Sequence, residues 1–105
     1  MGTHDELLAR LELGLKRYNH GVRVDDDTRE WGTPRNSWLD MAREELLDAV
    51  IYVIADYIRM GKERGEDDEN GLIMCCVKDL KRIRSEKHRL ILQSLLELLS
   101  IEESE

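Results

Sequence analysis

The sequence contains no phenylalanine, a single proline and two cysteines, and each scarcity narrows the class of protein. Aromatic residues make up only 5% of the chain, whereas leucine and charged residues dominate, which favours helices over strands. Because Cys75 and Cys76 are adjacent, a structural disulfide between them is unfavourable, and reduced thiols are expected. No signal-peptide pattern and no apolar run of membrane-spanning length occur, so we expect a cytoplasmic protein without membrane association.

The chain lacks basic character. Its formal charge of −7 argues against binding to a nucleic acid polymer, since such domains usually carry a basic face. A small anionic substrate stays possible, because metal ions reverse the charge of a carboxylate site locally. Three scattered histidines make zinc chemistry improbable, and no glycine-rich phosphate loop occurs. A length of 105 residues predicts one small domain, 1–105, whose core needs efficient helix packing or a second subunit.

Apolar spacing predicts helices in three parts of the chain. The first begins at Thr3, where Thr3 and Glu6 form a capping-box pattern, and ends before a left-handed turn at Gly21. The second begins after Ser37, a good N-cap, and continues for about two dozen residues without a breaker. Apolar positions resume over 72–101, as either one long helix or two joined near Ser85. Between these helices lie polar loops at 21–36 and 62–71, and a frayed tail is expected at 102–105.

The second helix carries an acidic stripe. Because apolar residues occur on nearly all of its sides, we expect neighbours to bury it on more than one side. Clustered carboxylates on such a helix repel one another unless they are protonated, paired or bound to metal, and oxygen ligands suit Mg²⁺ and Mn²⁺. The alternative is a solvated acidic face neutralised by Arg43 and Arg59. The stripe consists of Glu44, Glu45, Asp48, Tyr52 and Asp56.

A family resemblance adds to this pattern. The run EELLDAVIYVIADYI resembles the E-x-x-D helix of the MazG-like, all-α NTP pyrophosphohydrolases. The larger pattern, RYNHGVRV followed by WGTPRNSWLDMAREELLDAVIYVIADYIR, is similar to short phage-encoded members, some of which convert (d)GTP to (d)GMP in the 2-aminoadenine DNA pathway. The resemblance covers roughly residues 15–60. It implies a MazG-like bundle of three to four helices, assembled as a homodimer or homotetramer with an active site partly built at the subunit interface.

The resemblance also implies roles for individual residues. Glu45 and Asp48 match the E-x-x-D pair, and Glu44 matches the acid that often precedes it. They would bind Mg²⁺ or Mn²⁺, with Glu44 or Glu45 orienting the water that releases pyrophosphate from the nucleoside triphosphate. The separate E-x-x-E that such proteins usually carry on a preceding helix is missing. We favour Asp56 as the further ligand; Glu12, the EDDE loop at 66–69 and Asp79 are the alternatives.

Other residues are candidates for substrate binding. Asn36 and Trp38 precede the acidic helix and are placed to read and stack a purine, although Trp38 equally suits a core anchor. His20 either contacts substrate or caps the first helix. Cations that would meet phosphate, or else serve only solubility, are Lys16, Arg17, Arg59 and Lys62.

Two other interpretations concern different functions. EDDENG, residues 66–71, begins like a calcium-binding loop, but the acid needed at the twelfth position is replaced by Val77, so the match fails. The rival to an enzyme is a non-catalytic helical adaptor or oligomerisation module whose last helix binds a partner protein.

Overall fold

The computed structural model describes residues 2–61 and 69–103 of the chain. Over these ranges it contains helices and connecting segments, with no strand, which confirms the all-α prediction. The four α-helices are α1 (Thr3–Tyr18), α2 (Trp38–Met60), α3 (Asn70–Lys78) and α4 (Glu86–Glu103). Short 3₁₀ turns at Thr28–Trp31 and Leu80–Arg82 precede α2 and α4, respectively.

The core forms between α2 and α4, which lie antiparallel. Arg43, near the start of α2, donates to the Leu99 carbonyl oxygen at 3.2 Å, while Asp56, near the end of α2, meets His88 of α4. The apolar side chains between them include several with no exposed surface, as expected where two apolar helix faces pack. The buried apolar residues are Val50, Ile54, Cys76, Ile83, Leu92 and Leu99.

The expectation that α2 is buried on more than one side is wrong for the single chain. Only one side packs against α4 and α3, and Glu45, Asp48 and Tyr52 on the opposite side are exposed. Apolar residues around a helix indicate that neighbours are needed, but they do not say that those neighbours belong to the same chain.

The segment after residue 69 forms two helices, which settles the alternative left open by the sequence. The Asp79 side chain accepts from the Lys81 amide and caps the 3₁₀ turn that separates them. The Tyr57 hydroxyl reaches from α2 to the same segment, where it donates to the Arg82 carbonyl at 3.2 Å and accepts from the Arg84 amide at 3.0 Å. Because these contacts satisfy backbone groups outside any helix, they hold the joint before α4.

The predicted helix ends are right for α2 and wrong in detail for α1. The Ser37 side chain accepts from the Asp40 amide at 3.3 Å, which confirms the predicted N-cap. Thr3 is instead the first residue of α1, where no side chain caps the preceding Gly2. Asn19, with φ of 63°, takes the left-handed position expected for Gly21, since asparagine also tolerates that conformation.

A buried hydroxyl network orders the loop before α2. Thr28 has no exposed surface, and its hydroxyl accepts from the Ser37 amide at 2.8 Å and lies 2.9 Å from the Thr33 hydroxyl. The Thr28 amide in turn donates to the Asn36 side-chain oxygen at 3.0 Å. Buried polar groups that are all bonded fix a single geometry, so this loop is part of the framework.

The first helix leaves its apolar side uncovered. We call the side formed by Leu7, Leu8, Leu11, Leu15 and Tyr18 the α1 face; α1 has no buried residue, and these five side chains are 50–66% exposed. The chain exposes 8850 Å², against about 6,100 Å² for a compact monomer of this mass. Its radius of gyration is 16.7 Å, against about 13 Å for a compact domain of this length. The single chain thus carries roughly 2,700 Å² of surplus surface by the same scaling.

In residues 2–61 and 69–103, none of the helices combines the length and apolarity that a bilayer crossing requires.

Candidate functional site

A pocket lies between α1, the loop and the start of α2, with a volume of about 540 Å³. Its α1 wall is the C-terminal half of the α1 face, and its opposite wall contains Trp31, Trp38 and Met41. The volume falls within the range typical of small-molecule sites, and the walls are mainly apolar, as such sites usually are. The polar residues that line it are Arg10, His20, Arg23 and Asp26.

The two tryptophans of the chain both line this pocket. Their ring centroids are 5.3 Å apart and their planes are inclined at 65°, an edge-to-face contact. The Trp38 indole N–H donates to the Val24 carbonyl at 3.0 Å, while 37% of the residue stays exposed. Trp38 is therefore anchored to the loop and presented to the pocket, and it does not belong to the apolar core, so the alternative of a core anchor is wrong.

Among the described residues, Asp26 is the only acidic one that lines the pocket. Its backbone amide donates to the Arg23 carbonyl at 3.1 Å, which places the two side chains in one turn. Within 2–61 and 69–103, the Asp26 carboxylate and the guanidinium groups of Arg10 and Arg23 have no hydrogen-bond or ion-pair partner. The pocket thus offers a ligand one carboxylate acceptor and two guanidinium donor groups that are not bound to other described residues.

Two ion pairs lie in the loop beside these residues. The Arg29 guanidinium lies 2.6 Å from the Asp27 carboxylate, and this hydrogen bond lowers the pKa of Asp27. The Arg29 backbone amide also donates to the Asp27 side chain and lowers the same pKa further. The contact between the two side chains raises the pKa of Arg29. Further along, Arg35 pairs with the buried Asp40 at 2.7 Å. The first pair lies at the start of the turn that ends at Trp31, and the second joins the end of the loop to α2.

The structure divides the predicted substrate residues. His20 and Trp38 line the pocket, and the His20 Nδ1 lies 2.7 Å from the Gly21 carbonyl oxygen. Asn36 instead belongs to the framework, through its contact with the Thr28 amide. Lys16, Arg17 and Arg59 are exposed and do not line the pocket, and Lys62 lies outside the described residues.

The predicted metal ligands Glu45 and Asp48 lie on α2, next to the residues of that helix that line the pocket. At about 100° per residue, Glu45 and Asp48 continue the stripe of α2 that Trp38 and Met41 begin. They lie about 6 and 10 Å beyond Met41 along the helix axis. Glu44, Glu45 and Asp48 are all exposed, and none pairs with another residue of the described ranges. Arg43, considered as a neutralising partner, is directed toward α4.

The structure does not bring Asp56 to these carboxylates. It lies about 12 Å beyond Asp48 along the axis, two turns further on. Its Oδ2 is 2.7 Å from the Nε2 of buried His88, and the His88 Nδ1 is 2.5 Å from the Ser85 hydroxyl. Asp56 thus joins α2 to α4, and its selection as the further metal ligand is not supported by this position.

The alternative ligands are also dispersed. Asp79 caps a 3₁₀ turn, Glu12 is exposed on α1 and does not line the pocket, and residues 66–68 lie outside the described residues. Across the described ranges, no three His, Cys, Asp or Glu side chains are close enough to share a metal ion. Within the described residues, Glu45 and Asp48 therefore have no third protein ligand beside them.

Of the residues that line the pocket, only His20 and Trp38 were predicted from the sequence as substrate-binding residues; those not predicted include Arg10, Arg23, Asp26, Trp31 and Met41. Trp31 and the arginines of loop 21–36 are visible in the sequence, but no local pattern shows which of them share a cavity. Comparison of the chain with protein-family models, with curated proteins and with solved structures finds no match. Any functional conclusion consequently depends on the residues themselves.

Proposed function

We propose that this chain is a metal-dependent nucleoside triphosphate pyrophosphohydrolase. The reaction is hydrolysis of a (d)NTP, with (d)GTP the first candidate, to the monophosphate and pyrophosphate. The proposal depends on the family resemblance of residues 15–60 and on one structural observation, the continuity between the aromatic pocket and the exposed carboxylates of α2.

That continuity gives the two ends of a nucleotide separate places. The pocket at Trp38 and Met41 is apolar and aromatic, which suits a base. Glu45 and Asp48 follow on the same helical stripe within about 10 Å of Met41. A base in the pocket would thus direct its phosphates along the stripe toward the carboxylates.

The carboxylates fit Mg²⁺ or Mn²⁺ in donor chemistry. Mg²⁺ is usually held by one or two protein carboxylates together with substrate phosphates and water, so Glu45 and Asp48 are a sufficient protein contribution on this helix. Their lack of a cationic partner within the described residues leaves their charge available. The bound ion would acidify a water molecule and neutralise charge on the phosphates.

The side chains of the chain perform the remaining tasks. Glu44 lies three residues after Met41, at the edge of the stripe. Either Glu44 or Glu45 would accept a proton from the attacking water. Arg10 and Arg23 at the pocket would neutralise phosphate oxygens or bind the base edge. The walls of the pocket would exclude water from one face of the base.

A second copy of the chain completes the proposed assembly. The surplus of roughly 2,700 Å² per chain exceeds the roughly 800 Å² that each partner buries in an interface of standard size, so a second copy has enough surface to cover. Leu7 and Leu8 extend the α1 face beyond the pocket, so a neighbouring chain can cover them without filling it.

The test is product analysis. The purified protein is incubated with each dNTP and with GTP, in Mg²⁺ and in Mn²⁺, and the nucleotides are separated by ion-exchange chromatography. We expect a monophosphate and one equivalent of pyrophosphate. A diphosphate with orthophosphate, or no turnover of any nucleotide, would rule out the proposed reaction.

Two variants locate the chemistry. Glu45→Gln should lower kcat at least 100-fold, since it removes a charge that the metal needs. Glu97→Gln is the matched control, because Glu97 is an exposed glutamate on α4. Both variants should retain the wild-type circular dichroism spectrum. Full activity of Glu45→Gln would remove Glu45 from the site.

One observation favours the adaptor as the second candidate. Ile91, Leu98 and Ile101 lie on the side of α4 away from α2, at helical spacing, and are 39–69% exposed. Such a stripe is typical of a helix that packs on another protein. An adaptor predicts no nucleotide turnover, and it predicts that Leu98→Glu abolishes partner binding while Glu45→Gln leaves it intact.

A further inference from the structure

The pocket holds a carboxylate in a position where none is needed for folding. Asp26 is half-buried among apolar and aromatic walls, yet its carboxylate contacts no donor within 2–61 and 69–103. The neighbouring acids of the loop behave differently, since Asp27 caps a 3₁₀ turn and binds Arg29. Partial burial of an unpaired charge costs stability, and this cost is offset when a ligand donates hydrogen bonds to it.

We infer that Asp26 is the residue that selects the base, by accepting two adjacent N–H donors from its Watson–Crick edge. This inference builds on the proposed function, which supplies the nucleotide. A carboxylate can only accept hydrogen bonds, and its two oxygens match two parallel donors. The base that meets this requirement is a 2-amino-6-oxopurine, whose N1–H and 2-amino group lie side by side.

The other bases meet the carboxylate less well. Adenine offers one amino group next to the N1 lone pair, and cytosine offers one next to N3, so in each case one carboxylate oxygen would face an acceptor. Uracil and thymine offer a single N–H between two carbonyl oxygens. Each mismatch leaves the Asp26 carboxylate partly unsatisfied in a half-buried place, which is the costly outcome for a charged acceptor.

Arg23 supports the same choice. It lies three residues before Asp26 in one turn, also lines the pocket, and its guanidinium has no partner within the described part of the chain. A guanidinium donates and never accepts, so it suits the 6-oxo group that neighbours N1–H. Trp31 and Trp38 provide the aromatic surface against which a purine ring packs.

The experiment measures base recognition without catalysis. Because the two tryptophans of the chain both line the pocket, quenching of their fluorescence reports a bound base directly. The full-length protein is titrated in EDTA with dGMP, dIMP and dAMP, and calorimetry repeats the titrations. The pair dGMP and dIMP differs only in the 2-amino group, so its affinity ratio isolates one hydrogen bond to the carboxylate.

We expect dGMP to bind about tenfold or more tightly than dIMP, as for loss of one hydrogen bond to a charged group. Asp26→Asn should lower this ratio below about threefold and should improve dAMP binding, because a carboxamide pairs with adenine through one donor and one acceptor. Asp25→Asn is the matched control: Asp25 is exposed, does not line the pocket, and removes the same charge. It should leave the ratio unchanged.

Equal affinities for dGMP and dIMP in the wild type would overturn the inference, as would an unchanged ratio in Asp26→Asn. An absence of fluorescence and calorimetric response to all three nucleotides would overturn it too. These results are separate from the test of the proposed function. Selective dGMP binding without turnover of any triphosphate would refute the proposed hydrolase but support base selection by Asp26. Turnover of a triphosphate together with an unchanged dGMP-to-dIMP ratio in Asp26→Asn would support the hydrolase but refute base selection by Asp26.

Discussion

Substitution of Leu8 by glutamate should dissociate the proposed oligomer into single chains. Leu8 lies on the part of the α1 face that does not line the pocket, and it is 50% exposed in the single chain. Burying its remaining half at an interface contributes about 1 kcal/mol per copy. In a symmetric dimer the change occurs twice, and two carboxylates would also lose part of their hydration. Together these terms predict a dimer weakened about 100-fold or more.

The assay is the mass in solution, measured by light scattering during gel filtration at protein concentrations from 1 to 100 μM, values chosen on the order of typical dimer affinities. The wild type should elute at a multiple of 12.3 kDa and Leu8→Glu as a single chain. Leu13→Glu is the control, since Leu13 is a 40% exposed leucine on the other side of α1. It should keep the wild-type mass.

Two results would refute this reasoning. A wild type that is a single chain at every concentration would show that the surplus surface is simply exposed. Dissociation by Leu13→Glu but not by Leu8→Glu would place the interface on the opposite side of α1.

Three further predictions concern the fold. Tyr57→Phe removes the hydroxyl that binds two backbone groups before α4, so it should lower the free energy of urea unfolding by about 1–2 kcal/mol. Tyr18→Phe is the control, because Tyr18 is exposed and its loss should leave the free energy unchanged. Equal losses in the two variants would contradict the role of Tyr57. Thr28→Val leaves the hydrogen-bond partners of a buried hydroxyl unsatisfied, so it should lower the free energy of unfolding by about 2–3 kcal/mol in the same measurement. An unchanged unfolding midpoint would contradict the hydroxyl network. In the native protein a thiol reagent should modify one cysteine, the exposed Cys75, because burial both shields Cys76 and raises the pKa of its thiol; two fast equivalents would be inconsistent with the packing.

The helices could be predicted from the sequence because their signals are local. An uninterrupted apolar period and a serine N-cap were enough to locate α2 to within a residue of both ends. The details that failed were also local: Asn19 rather than Gly21 took the left-handed position, since either residue is compatible with it. The junction between α3 and α4 was only one of two alternatives, because polar residues are compatible with an exposed helix as well as with a turn.

The candidate site could be predicted only in part. Glu44, Glu45 and Asp48 stand out within a single helical turn, so their grouping is visible in the sequence. The pocket is not, because Leu11, Asp26 and Met41 come from three segments and no periodicity links them. The selection of Asp56 as a metal ligand was unsupported for the same reason. The helical period shows only which side of α2 Asp56 occupies, whereas its partner His88 is 32 residues away in the sequence.

The sequence by itself therefore determined that the chain is helical, where its longest helix begins and ends, and that three acids follow Trp38 and Met41 on that helix. Only the tertiary structure decided which side of α2 meets α4. Because α2 is apolar on nearly all sides, its own pattern permits several packings, and the contacts of Arg43, Asp56 and Tyr57 with the α4 region select one. That selection leaves the acids exposed and turns the start of their stripe toward the pocket, which is what joins an acidic helix to a place for a base.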